Sequence, residues 1–272
     1  MMNRRAFLAL VAASGMAAAA PSFAADALDR IKKAGVLRVA VPQDYPPFGF
    51  AGPDLKLQGY DISMAQWIAK ELGVKCELVP ATSANRIPYM QSGKADIVIS
   101  TLGKNAAREK VIDFSIAYGP TFIGVYGPAS VKVSKPSDMK GHSLGVTRGA
   151  FEDQMLTPLM PSGGTLRRYE DNSVTAQAYL SGQVELIGAL NVIAGALVPR
   201  AAASRKPELK FLLRKSPCFV GLPKGNPALK AAVDKAITKA FTSGEMDKLC
   251  KKFMNQSVPK DMLKQEPEVL KY

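Results

Sequence analysis

The 272-residue chain has little cysteine and almost no histidine, with three cysteines and one histidine. Cys76, Cys218 and Cys250 are odd in number and far apart, which excludes a dense disulfide framework but leaves room for one pair in an oxidising compartment. A single histidine and no CxxC motif argue against a zinc site, and no metal or cofactor is implied. A Ser-His-Asp triad would depend on His142, whose neighbours indicate a loop entering a strand.

Acidic residues are scarce relative to basic ones. The chain has 36 Lys and Arg against 23 Asp and Glu, a formal net charge of +13. The basic residues form no long block and have no stacking aromatic residues between them, so we expect no nucleic-acid partner. A basic, solvated surface explains most of the lysines, and a positive cleft would attract an anionic ligand. The GxGxxG and Walker A motifs of nucleotide-binding proteins are also missing.

Long hydrophobic runs are absent after the first 24 residues. Met1–Arg5 is basic, Ala6–Ala20 is apolar but too short to span a bilayer, and Ser22-Phe23-Ala24 has the small-x-small pattern of a cleavage site. We therefore predict that residues 1–24 are a signal peptide cleaved near Ala24, leaving a soluble periplasmic protein of charge +11. Arg4-Arg5 leaves two export routes open, the twin-arginine route and the ordinary secretory one.

Strands and helices alternate along the remaining chain. The first series has a strand over Leu37–Val41, helix Ile62–Leu72, strand Val74–Val79, a short helix from Ser83 to Gln91 and strand Ile97–Ser100. A second series pairs strands Ser143–Thr147, Thr165–Tyr169 and Val184–Leu190 with helices Phe151–Leu159, Val174–Ser181 and one from Val192. Strands Leu209–Leu213 and Cys218–Leu222 then precede a long helical region. This order predicts two α/β units with a cleft between them.

Seven short motifs occur in one order from about Leu37 to Met254. They are Tyr45-Pro46-Pro47-Phe48, Gly59-Tyr60-Asp61-Ile62, the segment 87–96, Arg108 to Ser115, Lys140-Gly141, Ser181 to Glu185, and Thr242 to Glu245. Together they resemble the polar-amino-acid family of periplasmic solute-binding proteins, the capture subunits of ABC importers.

This resemblance implies an α/β fold of the two-lobed periplasmic binding protein type (type II). Each lobe is a sheet flanked by helices, and two hinge strands join the lobes. Lobe 1 would comprise residues 25–120 and 218–272, lobe 2 residues 121–217, with the crossings near Gly119–Ile123 and Pro217–Val220. The implied protein is not an enzyme; as a monomer it closes on a small ligand and delivers it to a permease in the inner membrane.

The resemblance also implies a carboxylate-binding site. Arg108 would clamp the α-carboxylate of the ligand, since a guanidinium holds a carboxylate bidentately. Ser100, Thr101 and Gly103 would complete the carboxylate shell at the adjacent strand end. Tyr45 and Phe48 would wall the apolar part of the ligand, while Asp61 is expected to cap or brace its helix.

A second group of residues indicates an acidic ligand. Thr82 to Pro88 is similar to the corresponding segment of the glutamate/aspartate-binding branch, which places Ser83 and Arg86 in the site. Arg148, in the lobe-2 loop, would be a further carboxylate partner. Glu152 and Asp153 are expected to begin a helix.

The chain departs from the family pattern where an amino group would bind. The usual aspartate is replaced by Leu190, or by Asn191 if the register slips by one, and Ala150-Phe151 stands where relatives have Thr-Thr. Three hypotheses follow. The ligand is an acidic amino acid such as glutamate or aspartate; or it is an organic acid without an amine; or, as a remote alternative, the protein is an enzyme like cyclohexadienyl or arogenate dehydratase.

Overall fold

The computed structural model describes residues 27–269, in two sheets flanked by helices. The predicted signal peptide and its cleavage site lie outside the described residues. The helices are α1 Ala27–Ala34, α2 Tyr60–Leu72, α3 Arg86–Gln91, α4 Ala106–Glu109, α5 Phe151–Leu156, α6 Asn172–Leu180, α7 Asn191–Leu197, α8 Pro227–Thr242 and α9 Glu245–Met254. The strands are β1 Val36–Val41, β2 Asp44–Tyr45, β3 Gly49–Ala51, β4 Leu57–Gln58, β5 Lys75–Pro80, β6 Ile97–Leu102, β7 Ile112–Gly119, β8 Phe122–Gly127, β9 Ser143–Thr147, β10 Thr165–Tyr169, β11 Leu186–Leu190, β12 Glu208–Lys215, β13 Cys218–Pro223 and β14 Glu268–Val269.

The first sheet has the strand order β5-β1-β6-β13-β7. Strands β5, β1 and β6 run parallel, as the strand–helix alternation predicts, while β13 pairs antiparallel with both β6 and β7. Strand β6 is buried except at Thr101, which fits its unbroken apolar sequence and its position in the middle of the sheet. Helix α2 packs on this sheet and ends at Gly73, whose φ of +74° is the left-handed conformation that glycine adopts without strain.

The second sheet has the strand order β10-β9-β11-β8-β12-β14. The chain enters it between Gly119 and Phe122 and returns to the first sheet between Lys215 and Cys218. These two crossings lie side by side, because β8 pairs with β12 in one sheet and β7 pairs with β13 in the other. The predicted fold class is thus confirmed, with sheets that are mixed rather than wholly parallel.

The C-terminal segment differs from the sequence prediction, which assigned residues 218–272 to the first lobe. Strand β14 pairs antiparallel with β12 of the second sheet, and Lys215 forms a 2.8 Å ion pair with Glu268 there. The tail therefore spans both lobes. The sequence also did not predict α1 or the small three-stranded sheet β2-β3-β4, and it extended α5 to Leu159 although the helix ends at Leu156.

Several negative findings apply to the described part of the chain. No helix within residues 27–269 is long and apolar enough to cross a membrane. The same residues contain no cluster of His, Cys, Asp and Glu suited to a metal ion. The three cysteines are free thiols, so the pair that the sequence left open is not formed.

A candidate ligand site between the lobes

A small cavity lies where the two lobes meet. Its volume is about 10 Å³, close to the least space that holds one water molecule, so the lobes are closed on each other. The residues lining it come from both lobes: Tyr45, Ser83, Arg86, Thr101, Gly103, Ile123, Ala150, Phe151, Glu152, Asn172, Leu190 and Ser216. Eight of the thirteen residues predicted for the site are among them.

Arg86 begins α3 and reaches this cavity from lobe 1. Its side chain is only 3% exposed. One guanidinium nitrogen donates to the backbone carbonyl of Ser100, and the buried Nε has no partner within residues 27–269. Burial lowers the pKa of Arg86, and the nearby charge of Glu152 opposes that shift. Arg86 therefore presents a positively charged group with an unused donor at the cavity.

Arg108 lies in α4, just behind the cavity. The Asn105 side chain accepts a hydrogen bond from the Arg108 backbone N–H and so fixes the start of the helix. The guanidinium donates to the carbonyls of Gly103 at 2.9 Å and of Gly149, in the other lobe, at 3.4 Å. Its Nε is buried without a partner among the described residues. Burial and the neighbouring charge of Arg86 lower the pKa of Arg108 to about 9, which still leaves it charged at pH 7.

The strand end between these arginines is held in an unusual conformation. Thr101 has a φ of +46°, which a β-branched residue rarely adopts. The buried carboxylate of Asp61 fixes it, accepting from the Thr101 N–H at 2.7 Å and from the Tyr118 hydroxyl at 2.8 Å. Gly59, not Asp61, is at the N-cap of α2, so Asp61 braces the site instead of capping the helix. Burial raises the pKa of Asp61 to about 7.

The aromatic residues of the double-proline segment divide between the cavity and the core. Tyr45 lines the cavity and stacks on Phe48, with ring centroids 6.0 Å apart. Phe48 is fully buried behind it and packs edge-on against Tyr60. Tyr45 is thus placed to contact a ligand, whereas Phe48, predicted as a wall of the site, supports Tyr45 from the core.

Lobe 2 contributes a carboxylate that the sequence analysis assigned to a helix start and not to the site. Glu152, in the first turn of α5, is 5% exposed and lines the cavity. Burial raises the pKa of Glu152 to about 7, partly opposed by the charges of Arg86 and Arg108. The only sequence signal is its place directly after the loop Gly149-Ala150-Phe151, and an acidic residue there also fits an ordinary helix start.

Phe151 separates two guanidinium groups at the edge of the cavity. Its ring centre lies 5.1 Å from the Cζ of Arg108 and 5.0 Å from that of Arg214. Arg214, in β12, donates to the Lys104 carbonyl, and its buried Nε lacks a partner in the part of the chain that is described. Sequence reasoning missed Arg214 because nothing in the pattern of β12 marks it.

Two predicted site residues point elsewhere. Arg148 is half exposed and pairs with Glu170 at 2.9 Å, on the outside of lobe 2. The side-chain oxygen of Asn191 accepts from the Phe122 N–H at the start of β8, beside the hinge. The structure therefore does not bring either residue to the cavity; at the strand end it is Leu190 that lines it.

Contacts between the lobes hold the cleft closed. The Asp44 carboxylate accepts from the backbone N–H of Asn172 at 2.6 Å and of Ser173 at 3.4 Å, at the start of α6. Gly149 has a φ of +71°, and a Cβ there would come within 2.9 Å of the Ala84 backbone. Only glycine permits the two lobes to approach this closely at that point.

Comparison with known proteins identifies the same family over most of the chain. Residues 37–256 match the profile of the bacterial extracellular solute-binding proteins, family 3. The L-cystine-binding protein TcyJ of Escherichia coli (strain K12) is 30% identical over 95% of this chain and 98% of its own length. The L-glutamate/L-aspartate-binding protein of Pseudomonas aeruginosa is 26% identical over 85% of this chain and 81% of its own.

Two further comparisons bear on the fold and on the enzyme alternative. The crystal structure of an amino acid ABC transporter substrate-binding protein, AbpA from Streptococcus pneumoniae, bound to L-arginine, superimposes with a TM-score of 0.76, 30% identity, and coverage of 85% of this chain and all of that one. Cyclohexadienyl dehydratase of Pseudomonas aeruginosa is 38% identical, but over only 34% of each chain.

Proposed function

The chain belongs to family 3 of the bacterial extracellular solute-binding proteins, and we propose that its ligand is an amino acid that carries a second carboxylate. It is an amino-acid-binding component of an ABC transporter, as its full-length relatives are. It is not an enzyme, since the relatives matched over most of the chain are binding proteins and the dehydratase match covers 34% of it.

One observation carries the proposal. Four buried side-chain polar atoms of residues 27–269 lack a hydrogen-bond partner, and three of them are the Nε atoms of Arg86, Arg108 and Arg214. Arg86 lines the cavity, Arg108 and Arg214 contact the Phe151 ring at its edge, and in the described part of the chain the three side chains donate to backbone carbonyls alone. Charge-assisted hydrogen bonds to carboxylates would satisfy these donors. The three arginines accommodate more than one carboxylate.

Two kinds of ligand fit this chemistry. Glutamate and aspartate carry two carboxylates on a short chain, and a glutamate/aspartate-binding relative supports them. Cystine also carries two carboxylates, and the similarity to TcyJ over almost its entire length favours it as the second candidate. An organic acid without an amine remains the alternative that the replacement of the usual aspartate by Leu190 supports.

We further propose that binding closes the cleft. The cavity of about 10 Å³ is far too small for an amino acid, so the lobes have to part to admit the ligand and then close around it with more space than they leave here. The crossings between β7 and β8 and between β12 and β13 supply the hinge. The signal peptide would place this cycle in the periplasm, where a permease in the inner membrane receives the ligand.

Calorimetric titration of the purified protein tests the ligand class. The panel is L-glutamate, L-aspartate, L-cystine, L-leucine and L-arginine. We expect at least one of the three dicarboxylic amino acids to bind about 100-fold more tightly than L-leucine, since leucine leaves one guanidinium buried without an anion. Equal or tighter binding of L-leucine or L-arginine would overturn the assignment.

A further inference from the structure

Glu152 is a buried carboxylate without an ionic partner. It lines the cavity from lobe 2 with 5% of its surface exposed. Within residues 27–269 no lysine or arginine nitrogen lies within 4.0 Å of it, and its carboxylate meets only the N–H of its own backbone. A buried carboxylate with free acceptor capacity is costly unless a ligand completes it.

The other carboxylates near the cleft are already engaged. Asp61 accepts two hydrogen bonds that hold the strand end. Asp153 binds Arg168 at 2.8 Å and the N–H of the preceding loop at 3.1 Å. Asp44 accepts from the first turn of α6 across the lobe boundary. Glu152 is therefore the acidic residue of the cavity that remains available to a ligand.

The carboxylate of the cavity and the two arginines that face it come from different lobes. Arg86 and Arg108 come from lobe 1 and Glu152 faces them from lobe 2, where Arg214 lies against the Phe151 ring at the edge of the cavity. Leu190 and Tyr45 line the space beside them and offer no charge. The complementary ligand has anionic groups facing lobe 1 and a cationic group facing lobe 2. This is the charge pattern of an amino acid with two carboxylates.

We propose that Glu152 receives the α-ammonium of the ligand, in place of the acidic residue that the chain lacks at Leu190. The inference rests on the proposed function, in which the arginines hold the carboxylates. The ligand then bridges the lobes through its own charges, carboxylates on lobe 1 and ammonium on lobe 2. Closure becomes selective for amino acids, because an acid without an amine leaves Glu152 without a cation.

The electrostatics of the site support this role. The raised pKa of Glu152, about 7, means that its charged form is only partly stabilised by Arg86 and Arg108. An ammonium group at hydrogen-bond distance favours the ionised form of Glu152 and gives its carboxylate an ionic partner. The amide of Asn191 is engaged at the hinge and cannot take this place.

The test is a comparison of ligand pairs that differ only in the amine. The pairs are L-glutamate and glutarate, L-aspartate and succinate, L-cystine and 3,3′-dithiodipropionate, and L-arginine and 5-guanidinopentanoate. Each is titrated against the wild type and against Glu152→Gln. We expect the substitution to weaken binding of the preferred amino acid at least about 100-fold and not to weaken binding of its amine-free counterpart.

Two further variants keep the result interpretable. Glu170→Gln makes the same chemical change on the outer surface of lobe 2, where Glu170 pairs with Arg148, and it should leave every affinity unchanged. Glu152→Asp retains the charge one methylene further back, so it should weaken the amino acid less than the Gln variant does. It provides the same comparison if the Gln variant does not fold.

The outcomes separate the two proposals. Equal losses for both members of a pair, or no loss for either, would overturn the role of Glu152. If the wild type binds an amino acid and its amine-free counterpart equally tightly, the role of Glu152 is overturned, and the arginines stand as the carboxylate site. If L-arginine alone binds, the proposed class of dicarboxylic ligands is wrong. The comparison of L-arginine with 5-guanidinopentanoate then tests the role of Glu152. If no ligand of the four pairs binds, both the role of Glu152 and the proposed ligand class are overturned.

Discussion

At the scale of single residues, the site is defined by charges that the protein itself does not pair. Arg86 is almost wholly buried, yet its partner is one backbone carbonyl and its Nε donates to nothing in the described chain. Groups of this kind destabilise the free protein and gain the most from a complementary ligand, because the desolvation cost has been met before binding.

The first prediction concerns Arg86→Gln. It should weaken binding of the preferred dicarboxylic amino acid about 100-fold, since the ligand would keep a buried carboxylate without its ionic partner. The free energy of unfolding without ligand should not fall, because the substitution removes an unpaired buried charge. Titration calorimetry and urea unfolding measure the two effects.

Arg148→Gln is the matched control for that prediction. Arg148 is half exposed and bound to Glu170, so its loss should change ligand affinity by no more than about threefold. If Arg148→Gln weakens binding as much as Arg86→Gln does, the ligand lies closer to the Arg148 loop than the cavity indicates.

The second prediction concerns the pH dependence of stability. Glu152 has an ordinary pKa near 4.5 and a folded pKa of about 7, raised by burial. Tyr45 faces it from lobe 1 together with Arg86 and Arg108, and Asp153 lies beside it on α5. Because the folded pKa is raised, its stabilising contribution is complete below about pH 4.5 and is lost as the pH rises through about 7.

Glu152→Gln should therefore flatten this dependence. Without ligand, the free energy of unfolding of the wild type should fall between pH 5 and pH 8, with Asp61 acting in the same direction. The fall should be smaller in the variant, by up to about 3 kcal/mol. Urea unfolding at several pH values measures it, with Glu170→Gln as the control, and identical slopes in wild type and Glu152→Gln would contradict it.

At the scale of elements, the closed cleft depends on the contact between β2 and the start of α6. Asp171 caps α6 from within its own lobe, accepting from Val174 at 2.7 Å. Asp44 adds a second carboxylate from the opposite lobe and satisfies further N–H groups of the same first turn. Opening the cleft exchanges these bonds for water.

The third prediction tests that contact. Asp44→Ala removes hydrogen bonds to a charged acceptor, which are worth about 1.5–3 kcal/mol, and so should favour the open form. Ligand affinity should fall at least about tenfold, mainly through faster dissociation measured by stopped-flow fluorescence. Asp54→Ala, in an exposed loop of lobe 1, is the control, and equal dissociation rates in both variants would rule out the role of Asp44.

Several elements could be predicted from the sequence because their signals are local. The apolar run of β6 and the glycine that ends α2 at Gly73 indicate structure from neighbouring residues alone. Strands β2, β3 and β4 have two or three residues each, too few for any periodicity, so the sequence did not predict them.

The site could be predicted only where its residues have a local sequence signal. Arg86 and Arg108 follow recognisable strand and helix boundaries, whereas Glu152 matches an ordinary helix start and becomes notable only when lobe 1 buries it. Arg148 and Asn191 stand one position beyond residues that line or support the cavity. Whether the side chain at such a position faces the cavity depends on the local backbone conformation, which residue types alone do not determine.

At the scale of the molecule, three segments within residues 27–269 join the lobes. Two are the crossings between paired strands, and the third is the C-terminal tail. Gln256 donates to the Pro120 carbonyl at the hinge, Met262 is fully buried, and Glu266 pairs with Lys104 before β14 joins the second sheet. The tail thus contacts both lobes beside the hinge, and we expect an opening motion to bend it.

The central claim is that an amino acid with two carboxylates is held by its charges between the two lobes. A crystal structure of the protein with the tightest-binding amino acid of the panel tests it most directly. We predict one ligand in a closed cleft, its carboxylates on Arg86 and Arg108 and its ammonium about 2.7–3.2 Å from a Glu152 oxygen. A ligand whose carboxylates avoid both arginines, or one bound outside the cleft, would contradict the account.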